Sequence, residues 1–366
     1  MKQEKIVLHI IARMNVGGTA RYIKILSREL PKFSYRAVLA IGNVQGQEIE
    51  DDRLEDLQIL RVPSFGRRIH PILDLKSYLE LRKIVKLVNP DIIHTHTFKA
   101  GLLGRLLFSG IPKIHTFHGH LLEDPDFKGF KSRVITFIER FLAHKTKFLI
   151  TVGQKVSEEL LVQKVGNRTQ YINIPPGVEP LTIPSREDSY RSLGLPPPTS
   201  PVVGWMARVT TVKNPWLALE VARLMPKTQF LMAGGGDLFN KVRNVAPPNV
   251  KVLGWVNAAD LISASDVILA TSENEGIPIA LIESQMAGKP VVTTDVGSVS
   301  EVVLDGVTGF LVKKSASDIV EKIGSLLDDS ELLLDMSQNA TYHSLKNFSV
   351  AEMVKRHYEL YDRVLN

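Results

Sequence analysis

Residues Thr271–Ser298 read TSENEGIPIALIESQMAGKPVVTTDVGS, and their pattern decides the fold. The run before them, Asp266–Ala270 (DVILA), has the apolar continuity of a buried parallel strand. A polar loop carrying Glu273 and Glu275 follows, and a helix opens at Pro278 or Ile279. Proline suits a first helical turn, where its missing N–H is not needed. The helix is predicted to run to about Ala287 and to stop at Gly288, before a second strand over Pro290–Thr294. This is a strand–loop–helix–strand unit whose loop falls at the carboxyl edge of a sheet, where open α/β sheets bind ligands. Glu283 shares its helix face with Ile279, Ile282 and Met286 and is expected to be partly buried. A buried carboxylate is costly without partners. A hydroxyl-rich ligand would supply them, and a core Arg or Lys would do so equally, so the residues alone leave both readings open.

The whole chain has 366 residues, too many for one ordinary core, so two domains are expected. The absence of cysteine excludes disulfides and thiolate metal sites and suits a reducing cytosol. The opening MKQEKIVLHII is too short an apolar run for a signal peptide, and no stretch approaches a membrane span. A cytoplasmic protein is the expectation. Up to Pro184 there are 28 Lys and Arg against 18 Asp and Glu, whereas the remainder holds 17 against 21. Such asymmetry points to an anionic partner for the first half: a membrane surface, a phosphorylated acceptor or nucleic acid.

Strand and helix patterns alternate along both halves. The first predicts strands at 5–11, 36–41, 58–62, 91–95, 113–117, 147–152 and 169–174. Helices fall between them at 20–30, 47–57, 74–88, 100–108, 131–143 and 154–164. Prolines at 175, 176, 180, 184, 196–198 and 201 mark a linker over about 178–199. The second half predicts strands at 201–205, 228–233, 250–253 and 308–312 around the opening motif. Its helices are expected at 214–224, 237–244, 258–264, 298–304, 316–327 and 331–340, and a last amphipathic helix over 349–364 closes the chain. The expected domains are 1–184 and 185–348, with 349–366 as a closing helix.

Several stretches carry possible chemistry. Arg208 and Lys213 stand five residues apart between a strand end and a helix start, where they would clamp a diphosphate or form a solvated pair. Ala233–Gly236 (AGGG) allows close approach of a base or phosphate at Gly235, or makes a plain turn. Gly17 and Gly18 either let the backbone approach a ligand at the start of a helix whose free N–H groups favour anions, or make a plain tight turn, and neither G-x-G-x-x-G nor G-K-[ST] is present. Five histidines, at 94, 96, 115, 118 and 120, sit at two strand ends with strand-like spacing. No cysteine or H-x-x-x-H completes a metal set, and His118 is the candidate for a neutral hydrogen-bonding group facing substrate. Asp124-Pro-Asp126 reads as a solvated turn. Phe127–Lys147 interleaves phenylalanines with lysines and arginines at helical spacing. It is either a membrane-facing basic helix, with Arg67 and Arg68 adding to the surface, or a helix with a charged outer face.

Taken in order, the Gly17–Gly18 loop, HTHTFKAGLLGRLL, HTFHGH, the Arg208/Lys213 pair, AGGGD, the Glu275–Glu283 pair and TTDVGSVSEVVLDGVTGFLV resemble the family 4 retaining glycosyltransferases. The resemblance covers nearly the whole chain. It implies an α/β GT-B fold, two doubly wound Rossmann-like domains facing across a cleft, with the C-terminal helix crossing back to the first. It implies that Arg208 and Lys213 neutralise a leaving diphosphate with N–H groups around Gly276, Ile277 and Ile279. By the same resemblance Glu283 holds the ribose, Glu275 and His118 the donor sugar, Trp255 and Val256 flank the base, and Gly17 and Gly18 border the diphosphate and acceptor. The implied donor is a nucleotide-sugar, UDP-sugar favoured, and no metal cofactor is expected. The implied acceptor is a saccharide or polyprenyl-diphosphate-linked saccharide of a capsular, exopolysaccharide or lipopolysaccharide chain, with a possible anionic membrane contact. The chemistry agrees, since glycosyl transfer needs fixed cations at the departing diphosphate. No carboxylate pair suggests a glycoside hydrolase. A nucleotide-sugar epimerase and a non-catalytic binding module are the alternatives, and a dehydrogenase or nucleic-acid binder is disfavoured.

Overall fold

The computed structural model describes residues 4–15, 18–44, 50–51, 54–66, 70–107, 109–119 and 130–366. Its contacts divide the chain into two compact units, Met1–Gly177 with Val350–Asn366, and Val178–Ser349.

Unit 1 comprises β1 (Lys5–Ile11), α1 (Gly18–Glu29), β2 (Tyr35–Ile41), β3 (Ile59–Arg61), α2 (Pro71–Val88) and β4 (Ile92–His96). It continues with α3 (Phe98–Leu106), β5 (Lys113–Phe117), α4 (Phe130–Ala143), β6 (Phe148–Thr151), α5 (Gln154–Val162) and β7 (Tyr171–Asn173). Among the described residues seven strands pair, all in parallel, in the order β3-β2-β1-β4-β5-β6-β7. From β1 the chain steps outward to β3 and then returns past β1 to β4. Right-handed crossovers therefore put α1 on one face and α2 to α5 on the other.

Unit 2 comprises α6 (Arg186–Ser192), β8 (Val202–Met206), α7 (Pro215–Leu224), β9 (Gln229–Ala233), α8 (Phe239–Val245), β10 (Val250–Gly254) and α9 (Ala258–Ala264). There follow β11 (Val267–Ala270), α10 (Ile279–Met286), β12 (Val291–Thr294), β13 (Gly309–Val312), α11 (Ala316–Asp328) and α12 (Ser330–Phe348). Its six parallel strands run β10-β9-β8-β11-β12-β13, and the order reverses between β8 and β11. The final helix, α13 (Val350–Leu365), belongs to unit 1, where the Tyr22 hydroxyl lies 3.0 Å from His357 Nε2 and Tyr361 meets His94 at 2.7 Å.

The two parallel sheets and most elements fall where the patterns put them, with four differences. The helix expected over 47–57 is absent among the described residues of that stretch. There Glu50 bridges Asn15, Asp51 N–H donates to Met14 O at 2.8 Å, and a turn follows. The buried Lys24–Asp51 ion pair at 2.6 Å holds this segment against α1. The helix expected over 298–304 is a single 3-10 turn, Val299–Glu301. The expected linker contains α6, capped by Ser185, which buries Tyr190 in the unit 2 core. The helix expected to end at 340 runs on to Phe348, because Tyr342 to Phe348 include neither proline nor glycine.

One polar pair stands out inside unit 1. Arg105 of α3 and Glu139 of α4 are fully buried, and Arg105 Nη2 reaches both carboxylate oxygens at 2.7 and 2.8 Å while Nε donates to Gly101 O. A buried pair is tolerated with such geometry, but loss of one partner strands the other's charge. We expect Arg105→Met to destabilise unit 1 by about 3–5 kcal/mol in urea unfolding, and the added Glu139→Leu change to restore most of that loss. Equal destabilisation in the single and double variants would contradict the account.

Candidate active site

In unit 2 the reversal of strand order leaves the carboxyl ends of β8 and β11 adjacent, and the candidate residues gather there and on the neighbouring strand ends. The loop after β8 carries Arg208 and Lys213. Arg208 is exposed, with no carboxylate paired to it among the described residues. The loop is tied down by its backbone: Ala207 N–H donates to Ala233 O at 3.2 Å, Val209 N–H to Gly235 O at 2.9 Å, and Leu238 N–H to Val209 O at 3.1 Å. Asn214, with φ of 43°, caps α7 by accepting from Leu217 N–H.

The glycine run after β9 is required by this packing. A Cβ on Gly234, whose φ is +127°, would stand 1.9 Å from Ala207 O, and one on Gly236 would stand 2.5 Å from Val209 O. A Cβ on Gly235 would meet the Trp255 indole at 2.4 Å. Gly235, Trp255 and the Arg208 loop thus form one connected surface. Trp255 is 74% exposed, and Val256 is half-buried against the cluster that holds Tyr190.

Around β11 the structure adds a pairing that spacing alone did not reveal. Lys213 and Glu275 are ion-paired with each other, and Ser272 Oγ donates to the same Glu275 oxygen at 2.6 Å. The cation expected at a diphosphate and the carboxylate expected at a sugar therefore neutralise one another in the free protein. Glu273 is a separate surface group, bonded to Lys314 Nζ at 2.5 Å and Asn214 Nδ2 at 2.7 Å. The Lys314 ammonium holds its carboxyl below the usual range. The Glu275 backbone is clamped from β12's loop. Ser298 N–H donates to Glu275 O at 3.0 Å, and Gly297 (φ +51°) packs so closely that a Cβ would lie 1.8 Å from that oxygen.

Gly276 has open space at its Cα, and Ile277 and Ile279 pack on the cluster containing Ile282. Pro278 occupies the N-cap of α10 rather than its first turn. The N–H groups of Ile279 and Ala280 are beyond reach of any carbonyl of that helix. Glu283 lies on α10 at 8% exposure, as its apolar neighbours implied.

In unit 1, Gly17, Asp124, Asp126, Arg67 and Arg68 lie outside the described residues. Gly18 begins α1 with nothing within 4 Å of a would-be Cβ. One turn further on, Tyr22 presents its edge to the His118 ring, with centroids 5.0 Å apart. His118 follows β5 and is half-buried. Beneath it lies an imidazole cluster of which sequence reading saw only part. His96 Nδ1 is 3.0 Å from His118 Nε2, and His9 Nδ1 is 3.0 Å from His96 Nε2. His94 contacts Tyr361 and Thr116, both at 2.7 Å. The missed member, His9, had a signal: it is a lone polar residue inside the apolar strand KIVLHII, where burial demands a partner. His9, His94 and His96 stand close enough to hold a metal ion, but five of their six ring nitrogens are engaged by these hydrogen bonds.

Burial drives the basicity of the whole cluster down; neighbouring imidazoles add to the effect at His9, His94, His96 and His118, and the Arg105 guanidinium adds to it at His115. His9 and His118 fall to about 3 and His357 to about 4, while His94, His96 and His115 also lie well below their ordinary value.

Two parallel-sheet, Rossmann-like α/β units are the architecture of the GT-B class of glycosyltransferases. The glycosyltransferase of Rickettsia africae ESF-5 aligns over 100% of both chains with a TM-score of 0.83 at 21% identity. Residues 16–180 match Glycosyltransferase Family 4, and residues 187–343 match Glycosyl transferases group 1. The UDP-Gal:alpha-D-GlcNAc-diphosphoundecaprenol alpha-1,3-galactosyltransferase of Escherichia coli is 31% identical over 339 residues, covering 86% of this chain and 87% of the relative. The N,N'-diacetylbacillosaminyl-diphospho-undecaprenol alpha-1,3-N-acetylgalactosaminyltransferase of Campylobacter jejuni is 25% identical, covering 87% of this chain and 90% of the relative. The chain belongs to glycosyltransferase family 4, and it is a glycosyltransferase.

The cluster gives unit 1 a definite acid response. The six histidines are neutral when folded and titrate near 6.5 when unfolded. From pH 6.5 down to about 4 the unfolded state binds protons that the folded state refuses, so stability falls as pH falls, by up to ~1.4 kcal/mol per histidine per pH unit. Unit 2 holds one histidine, His343, and all three tryptophans, Trp205, Trp216 and Trp255. On acidification to about pH 5, hydrogen exchange should show β1, β4 and β5 losing protection while tryptophan fluorescence stays native. Simultaneous loss in both units, or full protection of β1 at pH 4, would refute this.

Proposed function

We propose that the chain is a retaining glycosyltransferase that moves a hexose or N-acetylhexosamine from a UDP-sugar to a saccharide on a polyprenyl diphosphate, in building a cell-surface polysaccharide. The observation that carries this reading is the set around the β8/β11 switch point. It combines an exposed guanidinium at Arg208, with no carboxylate paired to it among the described residues, an ammonium at Lys213 held by Glu275, the first N–H groups of α10 that no carbonyl of that helix reaches, and the buried carboxylate of Glu283. Both relatives named above bear names that specify a sugar-diphosphoundecaprenol acceptor and α-1,3 transfer of a galacto-configured sugar. That supports UDP-Gal or UDP-GalNAc as the first donors to try.

Bond cleavage at the anomeric carbon leaves negative charge on the diphosphate. Arg208 and the α10 N–H groups are suited to receive that charge, and Lys213 to share it by loosening its pair with Glu275. Freed in this way, the Glu275 carboxylate accepts hydrogen bonds from the sugar. Glu283 accepts from the ribose hydroxyls, Trp255 and Val256 border the base against Gly235, and the departing phosphate takes the acceptor proton. With Arg208 and Lys213 supplying positive charge, the reading assigns no role to a metal ion.

Purified protein should be tested for UDP release with UDP-Gal, UDP-GalNAc, UDP-Glc, UDP-GlcNAc and GDP-Man, with and without GlcNAc-diphosphoundecaprenol. Arg208→Ala should lower turnover about 10²–10³-fold with little change in nucleotide affinity. Glu283→Gln should weaken UDP binding about tenfold, the cost of one charge-assisted hydrogen bond. Full activity in Arg208→Ala would sink the diphosphate assignment, and conversion of the donor without acceptor would favour an epimerase.

A lipid-linked acceptor requires access to a membrane surface, and unit 1 offers a face for it. On α4, Val134, Phe137 (70% exposed) and Phe141 point outward among Lys131, Arg133, Arg140 and Lys145, while its single acid, Glu139, is buried against Arg105. On α2, Ile72, Leu75 and Leu79 are exposed beside Lys76, Arg82, Lys83 and Lys86, while Asp74 and Glu80 are turned inward to Lys99 and Ser64. Both helices lie on the same side of the sheet. Apolar groups ringed by cations with no exposed acid suit an anionic bilayer. The protein should sediment with phosphatidylglycerol vesicles and not with phosphatidylcholine, and Phe137→Ser with Phe141→Ser should lower that binding at least fivefold. Equal binding to both vesicle types would exclude this surface.

A further inference from the structure

We infer that His9, His96 and His118 form one hydrogen-bonded line that fixes which nitrogen of His118 carries its proton, so that His9 and His96 act as positioning residues for the substrate contact. The inference rests on the proposed glycosyl transfer and on the contact with the donor sugar that the family resemblance implies for His118.

The geometry is a row of three rings joined by two N···N contacts of 3.0 Å, His9 Nδ1 to His96 Nε2 and His96 Nδ1 to His118 Nε2. His9 and His96 have no exposed surface. A neutral imidazole has one N–H and one lone pair, so each contact must join a donor to an acceptor. Only two arrangements satisfy both contacts. In the first, every ring is protonated at Nδ1, and the donors point outward from His9 to His96 to His118. In the second, every ring is protonated at Nε2, and the donors point inward and end at His9.

The inner end decides between them. His9 Nε2 is buried, and among the described residues it has no hydrogen-bond partner. The inward arrangement leaves an N–H stranded there, and buried N–H groups without acceptors are rare. The outward arrangement leaves only a bare lone pair, the lesser penalty. His118 then keeps its N–H on Nδ1, to which no described residue bonds, and offers it to a ligand. The ring also meets Tyr22 at right angles with centroids 5.0 Å apart, the Tyr22 hydroxyl is 3.0 Å from His357 Nε2, and His357 Nδ1 lies 2.8 Å from Met353 O. Since a backbone carbonyl only accepts, His357 carries its proton on Nδ1 and receives the Tyr22 O–H.

His118 is therefore a fixed donor, suited to a sugar hydroxyl or a charge-bearing oxygen, and not a general base. The line transmits hydrogen-bond polarity without carrying charge. A ring at His96 with both nitrogens engaged is what links the buried end to the substrate end.

The test is the tautomer itself. Long-range ¹H–¹⁵N correlation of the full chain labelled with ¹⁵N-histidine at pH 7, with His118 identified by the resonance set lost in His118→Asn, should show a protonated Nδ1 and bare Nε2 at His118, His96 and His9. His118 protonated at Nε2 in the wild-type chain would overturn the inference. In His9→Phe, which removes the inner donor, the His118 tautomer should become mixed and KM for the nucleotide-sugar should rise at least fivefold. A role for His9 in packing alone would lower Tm and leave the His118 tautomer unmoved, which would also overturn it. If the wild-type tautomer is as inferred but His118→Asn keeps full turnover, the sugar contact fails while the line stands.

Discussion

Reversal of strand order within a parallel sheet is the constraint on which both units depend. Strands on either side of the reversal send their following helices to opposite faces, so the two loops part and leave a crevice at the carboxyl edge. In unit 2 the reversal separates β8 from β11, and the loops that part there carry Arg208 and Lys213 on one side and Glu273 to Gly276 on the other. In unit 1 it separates β1 from β4, whose adjoining residues include Gly18 on one side and His96 on the other. Among the described candidates, Gly18, Arg208, Lys213, Glu275, Gly276, Ile277, Ile279 and Glu283 lie on these loops or the helices that follow, His118 and Gly235 at the next strand end, and Trp255 and Val256 one strand further out. The topology determines where chemistry can occur, and the side chains determine which chemistry.

Within that frame the Lys213–Glu275 pair sets the character of unit 2. Their side chains are 20% and 14% exposed, so neither charge is well hydrated and each needs the other when no ligand is present. Ser272 adds a hydrogen bond to the same oxygen, and Gly297 and Ser298 fix the carbonyl behind it. These contacts fix both side chains at the crevice, and in the function proposed above the pair must loosen before either group can meet a substrate.

Much of this was legible in the chain because period and punctuation agree. The run DVILA, the proline at 278, the glycine at 288 and the strand after it locate β11, α10 and β12 closely, and Glu283 proved as buried as its apolar neighbours implied. Three things were not legible. The helix expected over 47–57 gave way, in its described part, to a segment held by Asp51 against Lys24, a tertiary ion pair that no local pattern encodes. The pairing of Lys213 with Glu275 spans 62 positions and depends on β8 lying beside β11, which the order of strands along the chain does not reveal. The same holds for His9, whose partner His96 is 87 residues away on the neighbouring strand.

Charge asymmetry along the chain acquires a structural meaning from where the acids go. The first half is basic overall, but it is the inward turning of Asp74, Glu80 and Glu139 that makes the surfaces of α2 and α4 uniformly cationic. Each acid pairs with Lys99, Ser64 or Arg105, and each is thereby turned away from the outer face of its helix. A core interaction and a surface property are thus produced by the same residues. Composition alone could not distinguish this from a solvated helix with a mixed outer face, because the distinction lies in which side of the helix each carboxylate occupies.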